Sequence, residues 1–326
     1  MLKNILLVRL DNLGDVLLTT PAFHAVKTAI PGATLTLCAS PVGAQVAEVD
    51  PDIDDVLVYQ APWMDPWHTQ PHDSQREQRF IAAVRERHFD GAIIFTSFRQ
   101  SPLPAAYLCY LADIPLRAAA SIDGPGALLT TRHKHPERMM HEVERGLDLV
   151  GALGIPGEDA EMVLKVPQVA TSALIERLES YKLDAGRPLV VVHPGCSMPA
   201  RTYPWEMYAQ VISLLVTQLD AYVMLTGIAD EQPLIQRILE RVSGNMRHSV
   251  ISQAGMLPFT ELCALIQHAT LTITNNTGPM HIAAAVKTPV VALFALTNPP
   301  EQWRPWHVPH RQLYHDVACR ICYQRT

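Results

Sequence analysis

Ala269-Thr-Leu-Thr-Ile-Thr-Asn-Asn-Thr-Gly-Pro-Met-His-Ile-Ala-Ala-Ala-Val286 reads as a β-branched strand, a tight polar turn from Asn275 to Gly278, and a helix of small residues. The first N–H groups of such a helix have no partner within it, and its dipole puts partial positive charge at the same end, so the turn suits an anion, above all a phosphate. Pro279 in the first turn removes a donor the helix does not use. A further strand, Pro289 to Phe294, follows a short link and completes a βαβ unit, the building block of parallel sheets. Strand–turn–helix units without a ligand occur in every α/β protein, so this one alone leaves a purely structural role open.

Outward from this unit the same rhythm recurs. Ile5 to Arg9 is an apolar strand, Leu10 to Gly14 a turn and Asp15 to Ile30 a helix that Pro31-Gly32 ends. Ala33–Ala39 and Asp54–Tyr59 continue as strands around a short helix, Gly43–Val49. The stretch from Gln60 to Ser74, with three prolines and no periodicity, is a loop suited to substrate contacts or an ordinary surface excursion. A charged helix Ser74–His88, strand Gly91–Thr96, helix Pro102–Leu111 and strand Leu116–Ala120 follow. Ser121 to Arg138, rich in Gly, Pro, His and basic residues, is a long loop near a site, and Met139–Leu153 is a helix. Gly154 to Ala170 is the linker. Beyond it come helix Thr171–Tyr181, strand Leu189–Val192, helix Pro204–Leu219, strand Tyr222–Leu225, helix Asp230–Val242, strand Ser249–Ser252 and helix Pro258–His268. The expected fold is therefore α/β, with two doubly wound domains divided at 165 and 166.

Bulk properties narrow the class. The chain has 326 residues, enough for two domains with real cores, and 26 Lys plus Arg against 32 Asp plus Glu, which argues against a duplex nucleic-acid binder. The apolar run before Arg9 is too short for a signal peptide, and no stretch approaches the ~20 apolar residues of a membrane span. Of six cysteines, four lie in apolar or strand-like contexts, which suits a reducing cytoplasm. Cys319-Arg-Ile-Cys322, with His315 nearby, matches half of a metal knuckle, and because a closed zinc site wants four ligands, a tail that packs or frays is the favoured reading unless a partner chain supplies more cysteines.

Three loops carry chemistry. Arg9-Leu-Asp-Asn-Leu-Gly-Asp15 follows the first strand at the sheet edge where ligands bind in open α/β sheets. Its single glycine is too few for a dinucleotide fingerprint, which disfavours nicotinamide chemistry. A carboxylate such as Asp15 can take a proton from an attacking hydroxyl, or it can simply cap the helix it begins. His193-Pro-Gly-Cys-Ser-Met-Pro-Ala-Arg201 offers flexible Gly195, the hydroxyl of Ser197 and, in Arg201, a fixed cation suited to bidentate phosphate contact or to solvent. Thr226-Gly-Ile-Ala-Asp-Glu231 places Asp230 and Glu231 where they could grip ribose hydroxyls or complement a helix dipole. No Gly-x-Ser-x-Gly elbow supports a serine hydrolase.

Val8-Arg-Leu-Asp-Asn-Leu-Gly-Asp-Val-Leu-Leu-Thr-Thr-Pro-Ala22, His193-Pro-Gly195 with Arg201 and Pro204, and Thr274-Asn-Asn-Thr-Gly-Pro-Met-His-Ile-Ala-Ala-Ala285 together resemble glycosyltransferase family 9, the lipopolysaccharide heptosyltransferases and their relatives. The resemblance implies a GT-B fold of two Rossmann-like domains facing each other across a cleft, the first binding the acceptor and the second the nucleotide sugar. It implies cytoplasmic, inverting, metal-independent transfer without a cofactor. The sugar would be heptose from an ADP-sugar donor, and the acceptor a carbohydrate, a lipid-linked glycan or another hydroxyl scaffold, with any membrane contact peripheral and made through the acceptor. Asp15 matches the catalytic base and Arg201 the cation at the donor diphosphate. Thr277, Gly278 and His281 match the diphosphate-binding turn, Asp230 or Glu231 the ribose contact and Leu257 the base contact. Gly195, Ser197, Asn276 and Pro279 complete the donor side, and Arg9, Asp11 and Asn12 are acceptor-side residues. Asn276 stands where relatives commonly carry Asp, and relatives often continue past a similar Cys-x-x-Cys-Tyr. Asp50-Pro-Asp52, similar to the metal-binding Asp-x-Asp of some sugar transferases, reads as turn chemistry. A nucleotide-sugar epimerase and a non-catalytic nucleotide-sugar-binding module on the same fold are the alternatives.

Overall fold

The computed structural model describes residues 2–64, 70–318 and 320–322, and the chain divides into two units, Met1–Val163 and Leu164–Thr326. In the first unit the order is β1 (Asn4–Arg9), α1 (Leu13–Ala29), β2 (Thr34–Ala39), β3 (Asp55–Val58), α2 (Ser74–Glu86), β4 (Gly91–Ile94), α3 (Leu103–Leu111), β5 (Leu116–Ala120), β6 (Thr131–His133) and α4 (Glu142–Gly151). Among the described residues its strands form one six-stranded parallel sheet, in the order β3-β2-β1-β4-β5-β6. Strands covered by helices on both faces need no polar alternation, which is why Ile5, Leu6, Leu7 and Val8 run apolar and are all buried.

The second unit repeats the plan: α5 (Gln168–Ser180), β7 (Leu189–His193), α6 (Trp205–Leu219), β8 (Tyr222–Leu225), α7 (Gln232–Arg241), β9 (Val250–Ser252), α8 (Phe259–His268), β10 (Leu271–Asn275), α9 (Gly278–Ala285), β11 (Val290–Phe294), α10 (Pro300–Trp303) and β12 (His310–Tyr314). The strands are again parallel, ordered β12-β11-β10-β7-β8-β9. In both sheets the first strand of the unit sits centrally and the connections diverge on either side of it. The carboxyl edges at β1/β4 and at β7/β10 are therefore the places where a crevice opens.

The structure shifts several boundaries. The first helix starts at Leu13, so Asp15 lies inside its first turn and Asn12 occupies the cap position. The stretch from Ser121 to Arg138, expected to be a loop, contains β6, a three-residue edge strand too short to show a period. The linker from Gly154 to Ala170 gives way to α5 at Gln168, behind Pro167. β12 and α10 were not foreseen at all: β12 is an edge strand of His-Arg-Gln-Leu-Tyr with mostly exposed side chains. Part of the 60–74 loop and Cys319 of the Cys319–Cys322 pair lie outside the described residues. Asp50 and Asp52 form the expected turn, the Asp52 N–H donating to Asp50 Oδ1 at 3.0 Å.

α1 is buried along most of its length and packs against α4, whose Gly146 allows close approach: a Cβ there would lie 3.4 Å from that of Ala22. Pro21 interrupts α1, since it has no N–H for the carbonyl of Leu17. The Thr20 hydroxyl substitutes, donating to Leu17 O at 2.8 Å while accepting from the Val163 N–H at 2.9 Å. Thr20→Val keeps the shape but strands two backbone groups, the buried Leu17 carbonyl and the partly buried Val163 N–H. It should lower the stability of the first unit by about 2–4 kcal/mol in urea titration, whereas a change near zero would show that neither bond matters.

Candidate active site

At the first crevice β1 ends in Arg9, which is 3% exposed. Its guanidinium is surrounded by carboxylates: Asp11 at 3.0 Å, Glu142 at 3.3 Å and Asp15 at 3.5 Å. The loop after β4 supplies the rest. Arg9 Nη2 donates to Ser97 Oγ at 2.8 Å, and that hydroxyl donates to Asp15 Oδ1 at 3.3 Å. Gln100 is fixed by the Ser97 N–H and donates Nε2 to Asp11 Oδ1 at 2.5 Å. From α4, Arg145 Nε lies 3.3 Å from the second oxygen of Glu142.

The electrostatics follow from burial. Desolvation alone would lower the Arg9 pKa, but Asp11, Asp15 and Glu142 outweigh it and hold the guanidinium above its ordinary value. Asp11 is pushed up to about 6 by burial, with the Arg9 charge opposing. Asp15 does not cap its helix. Its carboxylate turns to Ser97 and Arg9 and remains partly exposed, at 19% of its side chain. Of the acceptor-side residues Arg9 and Asp11 are buried and Asn12 is exposed.

The second crevice belongs to the other unit. Asn275, fully buried at the end of β10, donates Nδ2 to Pro194 O at 2.9 Å and accepts at Oδ1 from the Tyr208 hydroxyl at 3.0 Å and the Tyr203 N–H at 3.1 Å. It thereby ties the loop after β7 to the turn before α9. Thr277 takes the cap position of α9 without a side-chain capping bond, and Gly278 and Pro279 open the helix. Asn276 is buried and donates Nδ2 to Asn298 Oδ1 at 3.1 Å. His281, 4% exposed, has an Nδ1 with no hydrogen-bond partner among the described residues.

Gly195 is needed for a close approach. A Cβ there would fall 1.8 Å from Glu231 Oε1, so the Glu231 carboxylate lies against bare backbone. Glu231 also accepts from the Ile228 N–H at 2.9 Å, closing its own turn, and burial raises its pKa. Asp230 and Ser197 are exposed, and Leu257 is half-buried in the loop after β9. Arg201 Nε donates to the buried Thr297 Oγ1 at 3.2 Å. Beside it a cavity of about 490 Å³ is lined by Arg201, Tyr203, Asn275, Phe294, Tyr314 and His315, among others.

Ser97, Gln100, Glu142 and Arg145 in the first unit, and Thr297 and Asn298 in the second, were not singled out from sequence. Ser97, Gln100, Thr297 and Asn298 share one signal that could have found them, small polar residues just after a strand at the carboxyl edge. Glu142 and Arg145 have none, since Glu142 meets Arg9 from 133 residues away.

His193 and His281 are both held down to about 4 by burial. An unfolded histidine titrates near ~6.5, so between that pH and about 4 only the unfolded chain takes up these protons. Stability is thus complete above the window and falls as pH drops through it. In urea titrations His281→Gln should lose about 2–3 kcal/mol less than the wild type between pH 7 and pH 4.5. Equal losses would mean that His281 is not neutral in the fold.

The model of glycosyltransferase family 9 (heptosyltransferase) matches residues 78–326. Lipooligosaccharide heptosyltransferase 2 of Haemophilus influenzae is 26% identical over 307 residues, covering 91% of this chain and 84% of that protein. The structure of E. coli ADP-heptose lps heptosyltransferase II is similar at a TM-score of 0.78 and 21% identity, over 96% of this chain and 92% of that one. E. coli heptosyltransferase WaaC with ADP-2-deoxy-2-fluoro heptose gives 0.69 and 17%, over 96% and 93%. Among the described residues no helix is long and apolar enough to cross a membrane. The fold is GT-B, built from two Rossmann-like units, and the chain belongs to glycosyltransferase family 9.

Proposed function

We propose that this glycosyltransferase moves heptose from ADP-heptose onto a hydroxyl of a glycan or lipid-linked glycan, with inversion and with no metal ion in the transfer step. The observation that carries the proposal is the Asp15 carboxylate, partly exposed at a crevice edge and fixed from behind by Ser97 and the buried Arg9. The acceptor oxygen attacks the anomeric carbon, its proton passes to Asp15, and the bond to the diphosphate oxygen breaks on the opposite face. Asn12 is the acceptor-side contact, while Arg9 and Asp11 act through Asp15 as positioning residues.

ADP leaves as an anion, and the second unit has the groups to receive it. These are Arg201, the first turn of α9 from Thr277 to Pro279, and His281, a neutral imidazole at pH 7. Gly195 and Ser197 border the same crevice, with Glu231 or Asp230 towards the ribose and Leu257 towards the base. The heptosyltransferase relatives and a solved neighbour holding ADP-2-deoxy-2-fluoro heptose support this choice of donor. Such a reaction belongs in the cytoplasm, and a lipid-linked acceptor would bring the enzyme to the inner face of the membrane.

Asp15→Asn should bind ADP by calorimetry nearly as the wild type does and lose transfer by about 10²- to 10⁴-fold, and undiminished turnover would remove Asp15 from the chemistry. Arg201→Ala should weaken ADP binding by about ten- to a hundredfold, since a charge-assisted contact to phosphate is lost. Equal ADP affinity in the two proteins would exclude Arg201 from the phosphate site.

A further inference from the structure

The first unit holds a second cluster that sugar transfer does not use. His133 ends β6 and His135 lies two residues on, a spacing that turns both imidazoles to one side of an extended chain. Asp148 reaches them from α4. His133 Nε2 and His135 Nδ1 each lie 2.6 Å from the same oxygen, Asp148 Oδ2. The three ligand atoms fall within 4.8 Å of one another, and the two rings stand edge to face with centroids 5.1 Å apart. All three side chains are partly exposed, at 19%, 14% and 26%.

We propose that His133, His135 and Asp148 bind one divalent transition-metal ion of the zinc or cobalt class. Two imidazole nitrogens and one carboxylate oxygen suit such ions better than Mg²⁺ or Ca²⁺, which favour all-oxygen sets. A tetrahedral ion about 2.0–2.1 Å from each atom wants them roughly 3.3 Å apart, so the existing contacts need open by only about 0.7 Å. The fourth position is left to water. A hydrogen-bonded latch between β6 and α4 would need one histidine, and here two converge on a single oxygen.

With its three protein ligands the ion would clamp β6 to α4, and Glu142, Arg145 and Asp148 recur on α4 every three residues, along one stripe. A small cavity lined by Arg9, Ala120, His135, Glu142 and Arg145 links the cluster to the Arg9 network, so fixing α4 also fixes the carboxylate beneath Arg9. Arg145, the cation of that stripe, lies against Glu142.

The test is calorimetric titration of the chelator-stripped full chain with Zn²⁺, in the wild type and in a Cys319→Ser, Cys322→Ser background that removes the thiol pair. In that background one equivalent should bind, Co²⁺ should give the visible bands of a tetrahedral site, and Zn²⁺ should raise the unfolding temperature. His133→Ala with His135→Ala should abolish all three effects. Asp148→Asn keeps a hydrogen-bond acceptor and so the latch, yet should weaken Zn²⁺ binding at least about tenfold. Absence of Zn²⁺ binding in the Ser background, or binding unchanged by the double histidine variant or by Asp148→Asn, overturns the site.

Discussion

Arg9 is the group on which the first crevice depends. Placing a guanidinium at the end of a buried central strand costs several kcal/mol unless its charge and its donors are met. The charge is met by carboxylates from three segments, Asp11 from the loop after β1, Asp15 from α1 and Glu142 from α4, and Ser97 from the loop after β4 accepts from Nη2. Each partner is itself constrained in return. Asp15 can orient its carboxylate because Arg9 is held from several segments at once, by Ser97 and Glu142 as well as by Asp11.

The second crevice solves the same topological problem without buried charge. Both units share one strand order, so each has a central strand whose neighbours diverge, and at each divergence a side chain bridges the gap. In the first unit the bridge is ionic. In the second it is the amide of Asn275, which uses its two donors and its oxygen on Pro194, Gly195, Tyr203 and Tyr208. A neutral bridge adds no charge of its own, so the end of α9 and Arg201 supply the positive field that the proposed diphosphate site calls for, with the Glu231 carboxylate against Gly195 opposing it.

The strand–helix alternation, the two-unit plan and the two crevice-bordering turns were legible in the sequence because each rests on local signals: apolar runs, Gly and Pro punctuation and small-residue helices. β6 and β12 were not, since edge strands three to five residues long carry polar side chains and no sustained period. The start of α1 was misjudged because Gly14 looks like a turn residue, though it lies in a first turn already committed by Leu13. Long-range partners left no trace at all. Nothing near Arg9 announces Glu142, and nothing near His133 announces Asp148, because those pairings arise only when α4 packs on α1 and beside β6.

Asn276 gains its meaning from Asn298. A carboxylate at that position would lie beside the positive end of α9, where it would be stabilised but would also oppose a bound diphosphate. The amide instead meets a second buried amide, Nδ2 to Oδ1 at 3.1 Å, and the pair is satisfied without charge. With Asn275 also neutral, Asn275 and Asn276 add no negative charge to the turn, and the first turn of α9 keeps the positive field of its own helix end. Under the proposed role this favours the diphosphate part of the donor over its sugar. A carboxylate would accept strongly from sugar hydroxyls, whereas an amide accepts more weakly and offers a donor as well. Discrimination among sugars then rests more on the shape of the walls, and the cavity lined by Tyr203, Phe294 and Tyr314 beside Arg201 and Asn275 is one such wall among the described residues of the second unit.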